Sequence, residues 1–104
     1  MAIIYSVTIS VDKAIAPEWV QWMLTEHIPK VMDTGCFVRF HLHKLLDPIV
    51  DEGATTYNVL YECPSMQMYQ LYRNEFAQGL QAQTEARYKN RYQAFRTLME
   101  RLDS

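Results

Sequence analysis

Twice along this chain the spacing of apolar residues changes from every second position to every third or fourth and back again. That change of period dictates the order strand, helix, strand, strand, helix, strand. In the first stretch, residues 2–11, Ile3, Tyr5, Val7, Ile9 and Val11 point one way, and Ile4, Ser6, Thr8 and Ser10 the other. Asp12 and Lys13 end it. Pro17 then sits where a first-turn proline belongs, and Glu18 suits the positive end of a helix. Trp19, Met23 and His27 recur every four residues on one helical stripe, with Trp22 alongside. Pro29 is predicted to end or kink this helix, because it cannot donate to the residue-25 carbonyl. A last turn through Lys30 to Asp33 stops at Gly35, the expected left-handed cap.

From Cys36 to Leu46 a second alternation sets Cys36, Val38, Phe40, Leu42 and Leu46 against Phe37, Arg39, His41, His43 and Leu45. Asp47-Pro48 opens a loop that runs through Gly53. The third strand, Thr55 to Cys63, sets Tyr57, Val59, Tyr61 and Cys63 against Thr56, Asn58, Leu60 and Glu62. A short polar loop between two such strands makes a hairpin. Pro64-Ser65 begins the second helix with Ser65 as its N-cap, and Met68, Leu71, Tyr72, Phe76 and Leu80 form its buried stripe. Gly79 weakens that helix and is expected to divide it. The polar run 81–90 reads as its solvated end, and Tyr92 to Leu102 as the fourth strand. The whole, residues 1–104, is expected to be one α+β domain with the ferredoxin-like βαββαβ arrangement: a four-stranded antiparallel sheet with two helices on one face. Right-handed crossovers put the first and third strands in the centre.

Helices cover one face of such a sheet. The sets Ile3, Tyr5, Val7, Ile9 and Val38, Phe40, Leu42 and Tyr57, Val59, Tyr61 belong there. The open face then collects Ser6, Thr8, Arg39, His41, His43, Asn58, Glu62 and, by strand parity, Arg96. It also carries Ile4, Phe37, Leu45, Leu60, Ala94 and Leu98, too apolar a surface to leave wet. A second copy packed about a two-fold axis is the economical cover. In the hairpin, Arg39 opposite Glu62 sets His43 opposite Asn58 and preserves every facing. A register two residues along would instead set Cys36 opposite Cys63.

The order of elements, with a first helix closing on Glu26-His27-Ile28-Pro29, resembles the dimeric α+β barrel superfamily, in several of whose families that helix ends in His-x-Pro. The superfamily includes cofactor-free monooxygenases, haem-degrading enzymes, muconolactone-isomerase-like proteins and many members with no assigned activity. Ile3-Ile4-Tyr5, Trp19 to Pro29, Thr56-Tyr57 with Tyr61, and Phe95-Arg96-Thr97-Leu98 are similar to a bacterial family of unknown function with this fold. The resemblance covers nearly the whole chain and implies the fold; it brings no reaction with it. The Asn, Trp and His pattern of the haem degraders is not matched at its usual places, and no cofactor is expected.

Several side chains invite chemistry, each beside a plainer role. His27 can act as a general base or orient a ligand at a pocket between helix and sheet; the plainer role is to cap the helix end freed by Pro29. His41 and His43, two apart on a strand, have metal-ligand spacing with Glu62 as a third donor, yet strand histidines more often line an interface, and no metal is expected. Arg39 and Arg96 can clamp a carboxylate, or pair with Glu62 and with acids of a partner chain. The expected ligand set is Arg39, His41, His43, Asn58, Glu62, Arg96 and Trp22, with His27 as the catalytic candidate. There is no Gly-rich phosphate loop, no catalytic Cys-His spacing and no RNA-binding strand signature.

A formal charge of −2 gives no broad cationic field for nucleic acid, and no apolar run reaches membrane-spanning length. With no basic leader and two cysteines at no metal spacing, the expectation is a small cytoplasmic homodimer that binds a modest organic ligand in a sheet-lined cavity. One rival is a cofactor-independent monooxygenase or isomerase with His27 as base and Arg39 or Arg96 as anion stabiliser. The other is a purely structural or regulatory dimer whose cavity is filled by side chains.

Overall fold

A computed structural model describes residues 2–103. Four antiparallel strands, β1 (Ala2–Asp12), β2 (Arg39–Lys44), β3 (Ala54–Cys63) and β4 (Tyr92–Arg101), lie in the order β2-β3-β1-β4. The two strands with the cleanest alternation, β1 and β3, are therefore central, as the right-handed crossovers require, and the fold is the ferredoxin-like one. The hairpin takes the register Arg39↔Glu62, His41↔Leu60, His43↔Asn58. Cys36 is thus not opposite Cys63, although the Cys63 thiol still reaches the Cys36 carbonyl at 3.3 Å.

The first helix runs over 16–33 as α1 (Ala16–Trp22), a π-helical turn (Met23–His27) and α2 (Ile28–Asp33). Pro17 stands in its first turn, and Gly35, at φ 77°, donates its N–H to the Met32 carbonyl at 3.1 Å. Pro29 does not end the helix. The wider turn just before it, where the Ile28 N–H reaches the Met23 carbonyl, makes room for a ring that would crowd an α-helical turn. The second helix, over 66–88, repeats the device: α3 (Met66–Tyr72), a π-helical turn (Arg73–Ala77) and α4 (Gln78–Tyr88). Ser65 caps it by accepting from the Met68 N–H at 3.2 Å. The interruption precedes Gly79, through which the helix continues.

Three expected facings are corrected. On the second helix, Leu71 and Phe76 of the expected buried stripe are exposed, while Met68, Tyr72 and Leu80 turn to the core. Pairing of β2 with β3 starts at Arg39, preceded by an isolated bond from the Val38 N–H to the Glu62 carbonyl, so alternation does not extend back to Cys36. Phe37 therefore turns into the core, against Tyr5, Tyr61 and Tyr72, and Val38 is exposed. On β4, Tyr5 faces Leu98, Val7 faces Arg96 and Ile9 faces Ala94. Residues directly opposite share a side of the sheet, so Arg96, Ala94 and Leu98 lie on the helix side and not on the open face. Both side-chain sets of β4 contain apolar and charged residues, and only the pairing with β1 decides between them.

The core sits between helices and sheet. Trp19, with no exposed surface, stacks on Tyr57 at 4.9 Å. Tyr5 is the hub of an aromatic cluster, its ring 5.5–5.9 Å from those of Phe37, Tyr61, Tyr69 and Tyr72. Among the described residues no helix is long and apolar enough to cross a membrane.

Candidate functional site

Beneath the seam between the two helices the core leaves a cavity of about 40 Å³ against β1, β3 and β4. Tyr5, Trp19, Tyr61, Tyr72 and Tyr92 give it an aromatic wall; His27, Gln81, Thr84 and Arg96 supply its polar groups. Each polar group is delivered by a regular element. His27 closes the first π-helical turn, and Gln81 and Thr84 stand three apart on the inner side of α4. Arg96 projects from edge strand β4, which the helices only partly cover, so its side chain lies at the solvent-facing rim.

Two polar atoms of this lining, Trp19 Nε1 and His27 Nδ1, are buried without a hydrogen-bond partner. An orphaned buried donor or acceptor costs about 1–3 kcal/mol, and a cavity of this size has room for a water that would relieve it. Burial, then the positive charges of Arg96 and Lys30, hold the His27 imidazole down to about 4. It is therefore neutral at physiological pH. Burial pushes the Tyr5 hydroxyl up, opposed by the Arg96 guanidinium beside it, with Gln81 also in reach.

His27 also faces outward. It lines a second, open groove of about 410 Å³ along the helix seam, together with Trp22, Lys30 and Arg87. Trp22 stacks on His27 at 5.0 Å and meets the Tyr88 ring edge-on at 5.3 Å, while the Arg87 guanidinium lies 5.8 Å from the Trp22 centroid. The Trp22–His27 pair is thus the partition between groove and cavity.

The remaining sequence candidates gather on the open face. Glu62 accepts from Arg39 at 2.9 Å and from Arg101 at 3.3 Å. The Asn58 amide donates to Ser6 at 2.8 Å and to Thr8 at 3.1 Å, and Ser10 bonds Thr56 at 2.8 Å. His41 and His43 lie side by side with ring centroids 6.2 Å apart. Among the described residues no group of three or more His, Cys, Asp or Glu side chains is placed to hold a metal ion. The expected ligand set therefore divides: His27 and Arg96 meet at the cavity, Trp22 backs His27, and Arg39, His41, His43, Asn58 and Glu62 lie on the opposite side of the sheet. Sequence reasoning missed Tyr5, Gln81, Thr84 and Tyr92. The three-residue spacing of Gln81 and Thr84, next to buried Leu80, was their only signal.

The family described as "Domain of unknown function (DUF4286)" matches residues 2–102. No curated protein matches the chain. Among solved structures, a dimeric ferredoxin-like protein from an uncultured marine organism is 9% identical with a TM-score of 0.72, over 100% of this chain and 97% of that one. SnoaB, a cofactor-independent oxygenase from Streptomyces nogalater, is 12% identical with a TM-score of 0.68, over 99% and 95%. MhuD, a haem degrader from Mycobacterium tuberculosis solved with two haems in its active site, is 21% identical with a TM-score of 0.65, over 98% of both chains. Likeness at these identities is likeness of fold.

Proposed function

The chain belongs to the DUF4286 family, a family of unknown function, and we propose that it is a cytoplasmic, ligand-binding homodimer whose modest organic ligand occupies the cavity between helices and sheet. The observation that carries this reading is the pair of unpartnered buried atoms, Trp19 Nε1 and His27 Nδ1, in the lining of one cavity. Native interiors satisfy nearly all such atoms, so these two are open to a partner, either water or the polar group of a ligand that displaces it. At 40 Å³ the space is far below the 300 Å³ and more of most ligand sites. Binding therefore includes movement of a wall, for which the Trp22–His27 partition and the two π-helical turns supply the weak points.

Dimerisation engages the other face. There Ile4, Leu60, Phe95 and Met99 stand on one side of the sheet, with Phe95 64% exposed, and the face-to-face packing of two copies would cover them. A thermal-shift screen tests the binding: a ligand at a hundred times its Kd adds about 2.7 kcal/mol to the folded state. His27→Ala is expected to keep the melting temperature of the free protein and lose the ligand shift. Equal shifts in both proteins would reduce His27 to packing against Trp22, since its side chain caps no helix end. Sedimentation of Phe95→Asp tests the dimer, with a monomer as the expected result.

The meeting of His27 with Arg96 at one pocket favours a second reading, an enzyme in which His27 takes a proton and Arg96 stabilises the resulting anion. SnoaB, a cofactor-independent oxygenase, has the same fold. An imidazole held at about 4 is a weak proton acceptor at neutral pH, which ranks this reading behind binding.

A further inference from the structure

The charge of the cavity carries more than its shape. Arg39, Arg87, Arg91 and Arg101 each meet a carboxylate within 4 Å. Arg96 has none among the described residues, and no Asp or Glu stands in the cavity wall. The lining offers donors in the Arg96 guanidinium, the Trp19 indole N–H, the Tyr5 hydroxyl and the Gln81 amide, whereas the Tyr92 hydroxyl is already donated to Glu85, outside the lining, at 2.8 Å. Its only titratable base, His27, is neutral, and its remaining surface is aromatic and aliphatic.

An ammonium ligand would meet the charge of Arg96, with aromatic faces and the neutral His27 ring but no carboxylate of the lining to answer its own. A neutral ligand would leave the guanidinium as it is. An anionic oxygen at the rim gains a charge-assisted bond from Arg96, with the Tyr5 hydroxyl and Gln81 close by, while an aromatic body lies against the tyrosines and Trp19. We infer that the cavity selects a flat aromatic monoanion, a carboxylate or phenolate, with Arg96 as the residue that sets the sign of the charge. The inference rests on the cavity being the ligand site. It adds a consequence for His27. An anion bound beside Arg96 cancels part of the positive field on the imidazole, so a bound ligand makes His27 easier to protonate.

A matched series tests it: benzoate, benzyl alcohol and benzylammonium, titrated at pH 7.5 into the full chain labelled with ¹⁵N. The indole N–H resonance of Trp19, told from that of Trp22 by the Trp22→Phe variant, reports whether the probe enters the cavity. The expected result is a shift of this resonance with a Kd for benzoate about tenfold below those of the other two, the scale of one charge-assisted bond. Arg96→Gln is expected to erase the preference while the free protein keeps its indole spectrum. Equal or tighter binding of benzyl alcohol or benzylammonium, or a preference that survives Arg96→Gln, overturns the charge assignment and leaves the cavity as a ligand site. If none of the three probes moves the Trp19 resonance, the cavity reading itself falls, and this inference with it.

Discussion

On the open side of the sheet Glu62 is held between Arg39 and Arg101, whereas on the helix side Arg96 faces a cavity with no carboxylate in its wall. The same contrast runs through the neutral groups. Asn58 bonds Ser6 and Thr8, and Ser10 bonds Thr56, across β1 and β3, while Trp19 Nε1 and His27 Nδ1, on the helix side of the sheet, have no partner among the described residues. A polar group that is fully paired within its own chain is committed to holding strands together and keeping a surface compatible with water or a second copy. One left unpaired inside a core has no structural use and is free for something that arrives. The distinction sorts the histidines too: His41 and His43 lie exposed on the open face of the sheet, and His27 is half-buried between cavity and groove.

Four measurements press on that contrast. The largest effect belongs to Trp19→Ala: removing a side chain with no exposure from the cavity wall should lower stability by about 3–5 kcal/mol in chemical denaturation. A loss under 1 kcal/mol would mean that the helix layer is not a packed core. Next comes pH. His27 titrates near 6.5 when unfolded and near 4 when folded, so between those values the unfolded chain binds more protons. Stability present above pH 6.5 is therefore lost as pH falls toward 4, by up to roughly 3 kcal/mol. Denaturation of the wild type and of His27→Gln across this window should give a steeper acid loss for the wild type; parallel curves would deny that the imidazole is held neutral.

Smaller effects separate the two faces directly. Glu62→Gln, which weakens two guanidinium contacts at a partly exposed site, should cost about 1 kcal/mol. Arg96→Gln should change stability by less than about 0.5 kcal/mol, because it loses no carboxylate partner and Gln can still reach toward the Tyr5 hydroxyl at an exposed rim. A larger cost for Arg96→Gln than for Glu62→Gln would reverse the assignment of structural and functional charge.

Much of the frame could be read from residue order. β1 and β3 alternate with Ile4 and Leu60 as exceptions, and a one-residue slip would turn Tyr57, Val59 and Tyr61 outward; that left two registers with correct facing, of which the chain takes Arg39↔Glu62. Pro17, Gly35 and Ser65 took the positions their backbone chemistry favours. The site was less legible for three physical reasons. On β4 both faces mix apolar and charged residues, so parity could not assign Arg96 until β1 supplied its neighbour. At 36–38 a single backbone bond, from the Val38 N–H, and the Cys63 thiol tie the chain to β3, and Phe37 is turned inward by aromatic packing. On α4, Gln81 and Thr84 look like solvated helix surface because a polar residue facing a cavity has the same sequence appearance as one facing water.

The paired π-helical turns bear on how this architecture diversifies. Each accommodates a single surplus residue locally, leaving the helical segments before and after it on their original faces. Deletion of one residue from 23–27 would restore an ordinary α-helical turn, keep the flanking core stripe in place and withdraw His27 from the partition. A relative shortened by one position there would retain the scaffold and present different chemistry to the interior, so single-residue gain or loss offers this lineage a route to new binding preferences without rebuilding its core.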